Sequence, residues 1–225
     1  MTATAKPPSG LKAAIVQVTP FQQNCTLIWD DETKKGAVVD PGGDLDRIAM
    51  ALDQVKITVE KIILTHGHID HAGGAKALKE KLGVMIEGPH IADKFLLDNL
   101  DKQGAAYGME AQKVTPDRWL DEGDQVTVGR FTFGIRHCPG HSPGSVVLLN
   151  DAQKFAIVGD VLFRGSIGRT DFPRGDHATL IRSIKEKLFK LGDDFAFISG
   201  HGPASTIGHE RETNPFLAEG MAGFQ

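Results

Sequence analysis

The sequence predicts a layered α/β fold, with helices packed outside two β-sheets, on three observations. Short β-branched runs alternate with helical runs through the first half, the second half is again rich in strands and closes on an amphipathic helix, and no Ser- or Pro-rich linker parts the two. The 225 residues 1–225 are therefore expected to form one domain, with residues 1–10 a flexible N-terminal segment.

The elements follow in order. AAIVQV (13–18), CTLIW (25–29), GAVVD (36–40), KIILTH (61–66) and VMIEG (84–88) read as strands. Between them, DLDRIAMALDQVK (44–56) and AGGAKALKEKLG (72–83) carry helical spacing, each beginning near small or capping residues and the second stopping at Gly83. Residues 89–108 read as a longer helical region. QVTVGRFTFGIRHC (125–138) is a hairpin whose turn is Gly129-Arg130, followed by strands at GSVVLLND (144–151) and KFAIVGD (154–160). HATLIRSIKEKLFKLG (177–192) is an amphipathic helix, and FAFISGH (195–201) a buried strand ending in glycine and histidine.

Composition bounds the function. With 25 basic and 29 acidic residues the formal charge is −4, which gives no broad attraction to nucleic acid or an anionic membrane. A small-molecule partner is expected instead. The two cysteines, Cys25 and Cys138, form no C-x-x-C pair, so neither a disulfide framework nor a cysteine-rich zinc module is expected. No run approaches the ~20 apolar residues of a membrane span, and MTATAKPPSGLKAAIVQV lacks a continuous apolar leader core, so a cytoplasmic location is expected.

One stretch concentrates chemistry. ILTHGHIDHAGG (63–74) places His66, His68, Asp70 and His71 within six positions between an apolar strand and a helix start. Protonated together these imidazoles would repel one another, and left unpaired near a core they would be costly; a shared cation resolves both problems. Three further strands end on a ligand-type residue: FGIRHCPGH reaching His141, KFAIVGD reaching Asp160 and FAFISGH reaching His201. Strand ends followed by glycine loops are where α/β proteins build sites. In extended backbone side chains two apart share a face, so His66 and His68 grip one ion with His141, while the turn into the helix redirects Asp70 and His71 toward a second ion with His201. Asp160 is placed to bridge the two. Nitrogen and oxygen donors without thiolate fit Zn2+ and tolerate Fe or Mn, so two divalent metal ions are expected, zinc first. Asp40, ending GAVVD, is either an acceptor that orients a ligand imidazole or a plain turn former. Ser142 and Cys138 flank the His141 loop without a base of their own, and structural roles are expected for both.

Taken together, THGHIDH, CPGH, VGD and SGH resemble the metallo-β-lactamase fold hydrolases over nearly the whole chain. Within that superfamily, GDVLFRGSIGRTDFPRGD (159–176) and HGPASTIGHERETNPF (201–216) resemble the short bacterial glyoxalase II-like branch, similar to hydroxyacylglutathione hydrolase. The resemblance implies a four-layer αβ/βα sandwich, one metal at His66, His68 and His141, a second at Asp70, His71 and His201, and Asp160 between them. Longer enzymes of that kind grip glutathione with a basic helical C-terminal region, whereas this chain has 24 residues beyond His201. They also carry a lysine and a tyrosine after the bridging aspartate. Here that stretch reads Gly-Arg-Thr-Asp-Phe, making Arg169 the basic counterpart, and the single tyrosine, Tyr107, lies elsewhere in the chain.

The expected reaction is hydrolysis of a glutathione thioester such as S-lactoylglutathione by a hydroxide held between two cations, with Asp70 and Asp160 orienting it. A thiol of pKa ~8.5 leaves as thiolate without a strong acid, so the absence of one from the motifs is no obstacle. Glutathione carries two carboxylates, and of Arg164, Arg169 and Arg174 after Asp160, Arg169 is expected to bind one of them, or to pair with Asp171. Two alternatives stand beside this one: a mononuclear-iron persulfide dioxygenase, a branch of the same fold that GRTDF also resembles, and a metal-stabilised binding protein without turnover.

Overall fold

The computed structural model of the chain describes residues 9–217. The first sheet is built from β1 (Leu11–Val18), β2 (Gln23–Asp30), β3 (Lys35–Val39), β4 (Thr58–Ile63) and β5 (Met85–Glu87), in that spatial order. β1, β2 and β3 pair antiparallel. β3–β4 and β4–β5 are parallel, as they must be once α1 (Leu45–Val55) and α3 (Ala75–Leu82) are inserted as crossovers. A single helical turn, α2 (Ile69–Ala72), precedes α3, and Gly83 ends α3 in the left-handed region, as its sequence position predicts.

The chain reaches the second sheet through a 3₁₀ turn (Ile91–Asp93), α4 (Lys94–Leu97) and α5 (Leu100–Tyr107). β6 (Gln125–Val128), β7 (Phe131–His137), β8 (Val146–Asn150) and β9 (Phe155–Ile157) form an antiparallel meander. A small ribbon, β10 (Leu162–Phe163) and β11 (Ser166–Ile167), then leads to α6 (His177–Ser183). β12 (Ala196–Ile198) returns parallel to β9, and β13 (Ser205–Thr206) and α7 (Ile207–Thr213) close the described chain. The second sheet has the order β13-β12-β9-β8-β7-β6.

Three apolar clusters define the four layers. Ile28, Val39 and Ile63 of the first sheet meet Phe133, Ile135 and Leu148 of the second between the sheets. Ile48 and Leu78 of the helices cover the outer face of the first sheet, beside Leu27 and Ile62. Leu180 and Ile184 cover the second, against Val147 and Phe197. The αβ/βα sandwich expected from the sequence is the fold observed. A half-buried tie joins the sheets at one end: Arg130, in the β6–β7 turn, donates through Nε and Nη2 to both carboxylate oxygens of the buried Asp30 on β2 (2.7 and 2.8 Å).

Four expectations need correction. The helical region 89–108 is broken into the 3₁₀ turn, α4 and α5, with Asn99 between the two helices. The helix expected over 177–192 is α-helical to Ser183 and continues as a π-turn over Ile184–Leu188. The strand through KIILTH ends at Ile63, because Thr65 N–H turns aside to donate to Asp40 Oδ1 (2.7 Å). Residues 1–8 of the expected flexible segment lie outside the described residues, and the last two are tied in place: Ser9 O accepts from Arg130 Nη2 and Gly10 O from Asp31 N–H.

Candidate metal centre

The ligand-type residues singled out in the sequence meet at one edge of the sandwich, where loops from both sheets end. His66 and His68 lie in the loop after β4, Asp70 and His71 in α2, His141 after β7, Asp160 after β9 and His201 after β12. His66 and His68 thus flank Gly67 in this loop, with His68 in extended backbone (φ −72°, ψ 155°), as the sequence reading of side chains two apart expects. His141 Nε2 lies 3.2 Å from His66 Nε2 and 2.9 Å from His68 Nδ1. On the other side, His201 Nε2 lies 3.1 Å from Asp70 Oδ2, and His71 Nε2 is 3.7 Å from the same oxygen. Asp160 stands between the groups, with Oδ2 3.6 Å from both His141 Nε2 and His201 Nε2 and Oδ1 3.3 Å from His71 Nε2.

The outward bonds fix which nitrogen faces in. Thr65 Oγ1–H donates to Asp40 Oδ2 (2.6 Å), so its oxygen is left to accept from His66 Nδ1–H (3.1 Å). His71 Nδ1–H donates to Asp40 Oδ2 (2.9 Å), His141 Nδ1–H to the carbonyl of Arg169 (2.7 Å), and His201 Nδ1–H to that of Phe21 (3.2 Å). Four imidazoles therefore present Nε2 to the interior and His68 presents Nδ1, the arrangement in which an outer acceptor sets the tautomer of a metal ligand. Asp40 does more than turn the chain, since its carboxylate serves both His71 and, through Thr65, His66.

Electrostatics divide the cluster in the same way. Burial holds His66 well below the usual imidazole range, brings His68 down to about 3 and lowers His141, so this trio is neutral. His71 is held well above that range, because Asp160, Asp70 and Asp40 together outweigh its burial. Asp160 and Asp70 are depressed against the cost of burial, each chiefly by His71. His71 Nε2 and Asp160 Oδ1 are buried with no hydrogen-bond partner. Such orphaned atoms, facing neutral nitrogens and two carboxylates, fit a pair of divalent cations. The approach is close enough that a Cβ at position 200 would fall 2.0 Å from Asp160 Oδ1 and 2.5 Å from His71 Cε1, so only glycine is accommodated there. Another grouping, His90, Asp121 and His137, is poorly made for an ion: its rings stack at 4.0 Å and 20°, so no nearby point lies in both ring planes.

Several residues essential to this geometry carried no sequence signal. Asp93, fully buried, accepts from Gly67 N–H (2.8 Å), between His66 and His68, and from Ser142 Oγ–H (2.8 Å) and Gly144 N–H (2.6 Å), beside His141. Asn24 holds the His201 loop, its N–H and Nδ2 donating to the carbonyls of Gly200, Ser199 and Gly202. Gln103 Oε1 accepts from Ile69 N–H (3.2 Å) at the start of α2. A carboxylate or amide in a loop has no periodicity, and its partners are distant in sequence.

Above the cluster opens a cavity of about 600 Å3, walled by Phe21, Phe95, Phe163, Phe172 and Tyr107 and floored by His68, Asp70, His141, Asp160 and His201. The Phe172 ring packs on His68 and His141, with centroids at 4.9 and 5.7 Å. Tyr107 meets Phe21 edge to face at 5.3 Å, so the single tyrosine reaches the mouth from α5. Arg169 lines the same cavity, but its guanidinium is held by Asp171 in two bonds (2.9 and 2.7 Å), and its carbonyl orients His141.

Comparison with known proteins adds to this geometry. The family model of the metallo-beta-lactamase superfamily matches residues 18–201. The hydroxyacylglutathione hydrolase GloC of Haemophilus influenzae is 48% identical over 205 residues, covering 90% of this chain and 96% of the relative. Among solved structures, the B3 metallo-beta-lactamase BLEG-1 superposes with a TM-score of 0.84 at 35% identity, over 92% of this chain and 99% of the other. TTHA1623 in a di-iron-bound form superposes with a TM-score of 0.81 at 33% identity, over 91% and 100%.

Proposed function

The chain belongs to the metallo-β-lactamase superfamily, and from that membership and the geometry of its centre we propose that it is a glyoxalase II-like metallohydrolase that cleaves glutathione thioesters to a hydroxy acid and glutathione. The observation that carries the reading is the set of five inward imidazole nitrogens and two carboxylates on the floor of an aromatic-walled cavity. His66, His68 and His141 would hold one divalent ion and Asp70, His71 and His201 the other, with Asp160 standing between the two sets. Zinc is our first assignment, with iron or manganese tolerated by the same donors. When bound, such ions supply an activated water and polarise the thioester carbonyl.

The remaining chemistry belongs to the chain. Asp70 and Asp160, kept ionised by the imidazoles around them, accept hydrogen bonds from the attacking water and so aim it at the carbonyl carbon. Asp40, Thr65 and the carbonyls of Arg169 and Phe21 hold the imidazoles from outside. Phe163 and Phe172 shield the reacting bond from bulk water. The thiol departs as a thiolate, so no buried acid is required. The apolar cluster shared by both sheets supports treating residues 1–225 as one domain. Cys25 and Cys138 are buried free thiols, which fits a reducing cytoplasmic setting, and no helix among the described residues is long and apolar enough to cross a membrane.

Elemental analysis after loading is expected to give two ions per chain, and S-lactoylglutathione is expected to lose its thioester absorbance without oxygen uptake. Oxygen-dependent sulfite formation from glutathione persulfide by the iron-loaded protein, with no thioester loss in any metal form, would replace the hydrolase by the dioxygenase. Tight binding of thioesters without turnover by zinc, iron or manganese forms would leave a binding protein.

A further inference from the structure

Three arginines follow Asp160, and the structure sets them apart. Arg169 lies 4.6 Å over the ring of Phe172, but its guanidinium is already engaged by Asp171 in two bonds. Arg164 has no hydrogen bond, ion pair or ring contact among the described residues. Arg174 is exposed, and no carboxylate among the described residues pairs with it, yet its guanidinium is fixed, lying 4.1 Å above the ring of Phe95. Phe95 and the adjoining Pro173 both line the cavity over the metal cluster. Lys94, the neighbouring cation on α4, is already paired with Asp98.

Arg174 has φ 67°, in the left-handed region that glycine occupies freely, a conformation it shares with seven other non-glycine residues among those described. A stacked guanidinium keeps its N–H edges free for a planar anion, and the aromatic platform removes much of the rotamer entropy that an exposed arginine loses on binding.

We propose that Arg174, stacked on Phe95, is the specificity-determining residue that receives a carboxylate of the thiol portion of the substrate at the mouth of the cavity, while Arg169 serves to hold its own loop and His141. This deepens the thioester reading above and rests on it. It places the anion contact on the rim between α4 and the loop before α6.

The test uses the metal-loaded full chain and Arg174→Gly, a substitution that suits the observed φ and so keeps the loop folded. With S-lactoylglutathione the variant is expected to raise KM about tenfold, equivalent to ~1.4 kcal/mol, with kcat within about twofold. With S-lactoyl-N-acetylcysteamine, whose thiol portion is uncharged, the rise in KM is expected to be at least about fivefold smaller. Arg174→Lys should recover only part of the loss, and Arg169→Ala should raise KM less than Arg174→Gly. Equal rises in KM on both thioesters, or none on either, would overturn the proposal. Calorimetry with S-methylglutathione separates it from the hydrolase reading: Arg174-dependent binding without hydrolysis of any thioester would sink the hydrolase alone, whereas hydrolysis with Arg174-independent binding would sink this assignment alone. A wild-type protein that binds no glutathione conjugate at millimolar concentration would overturn it as well.

Discussion

Replacing Asp93 by alanine removes one carboxylate that fastens both halves of the three-histidine site. Its three donors, Gly67 N–H, Ser142 Oγ–H and Gly144 N–H, are buried with it. Burial pushes the carboxyl up to about 6 against the pull of those donors, so at pH 7.5 it is ionised and the bonds are charge-assisted. Each donor left without a partner in a closed site costs ~1–3 kcal/mol, and Ser142 can turn its hydroxyl toward Ser145 Oγ, 2.7 Å away, which spares one of the three. The two remaining donors put the expected loss at about 2–6 kcal/mol, a range that contains the ~3–5 kcal/mol typical when one partner of a buried charged pair is deleted. Because Gly67 separates two ligands and Ser142 follows a third, metal affinity should fall about 10- to 100-fold, the range for removing outer support from a site. Denaturant unfolding of the metal-free protein reads the first quantity, and competition for zinc against a chelator reads the second. Asp93→Asn, which keeps one acceptor oxygen and the shape, should lose less than half as much in each. A stability loss for Asp93→Ala under ~1 kcal/mol, together with zinc affinity changed less than about threefold, would refute the reasoning.

Asp160→Ala should lower the content of both ions, read by elemental analysis, because its two oxygens face His141 on one side and His71 and His201 on the other; Arg169→Ala should leave metal content within about a fifth of wild type. Gly200→Ala sets a methyl against Asp160 and His71 and is expected to cost ~1–3 kcal/mol and to weaken metal binding, checked by thermal melts with and without zinc. The Asp30–Arg130 tie predicts an acid limb. Arg130 holds the Asp30 carboxyl well below its ordinary value, so its contribution is full above the unfolded pKa near ~3.9 and is lost as pH falls through that value toward the folded one. Asp30→Asn should flatten the fall in stability between about pH 4 and 2, measured by urea unfolding, and an unchanged slope would exclude this pair as its source.

What the sequence determined by itself follows from local pattern. The apolar, β-branched runs CTLIW and GAVVD, the helical spacing of 44–56 and the Gly129-Arg130 turn are set by neighbours within a few residues, and the structure carries each at nearly the expected bounds. The seven ligand-type residues were legible because four of them crowd into the six positions 66–71 and the other three recur after apolar strands, and the fold brings all seven to one edge. Short elements escaped: β10, β11 and β13 have two residues each, too few for a period. Residues 89–108 looked like one helix because its composition favours one, but packing over the cluster requires a break at Asn99 so that Phe95 and Tyr107 both reach the cavity. The tautomers, the clamp by Asp93, the pairing of Arg169 with Asp171 and the stacking of Arg174 on Phe95 were decided only in three dimensions. Whether a carboxylate is free or paired, and which imidazole nitrogen faces inward, depends on acceptors up to 180 residues away in the chain, as between His201 and Phe21, and local pattern holds no record of contacts closed across such loops.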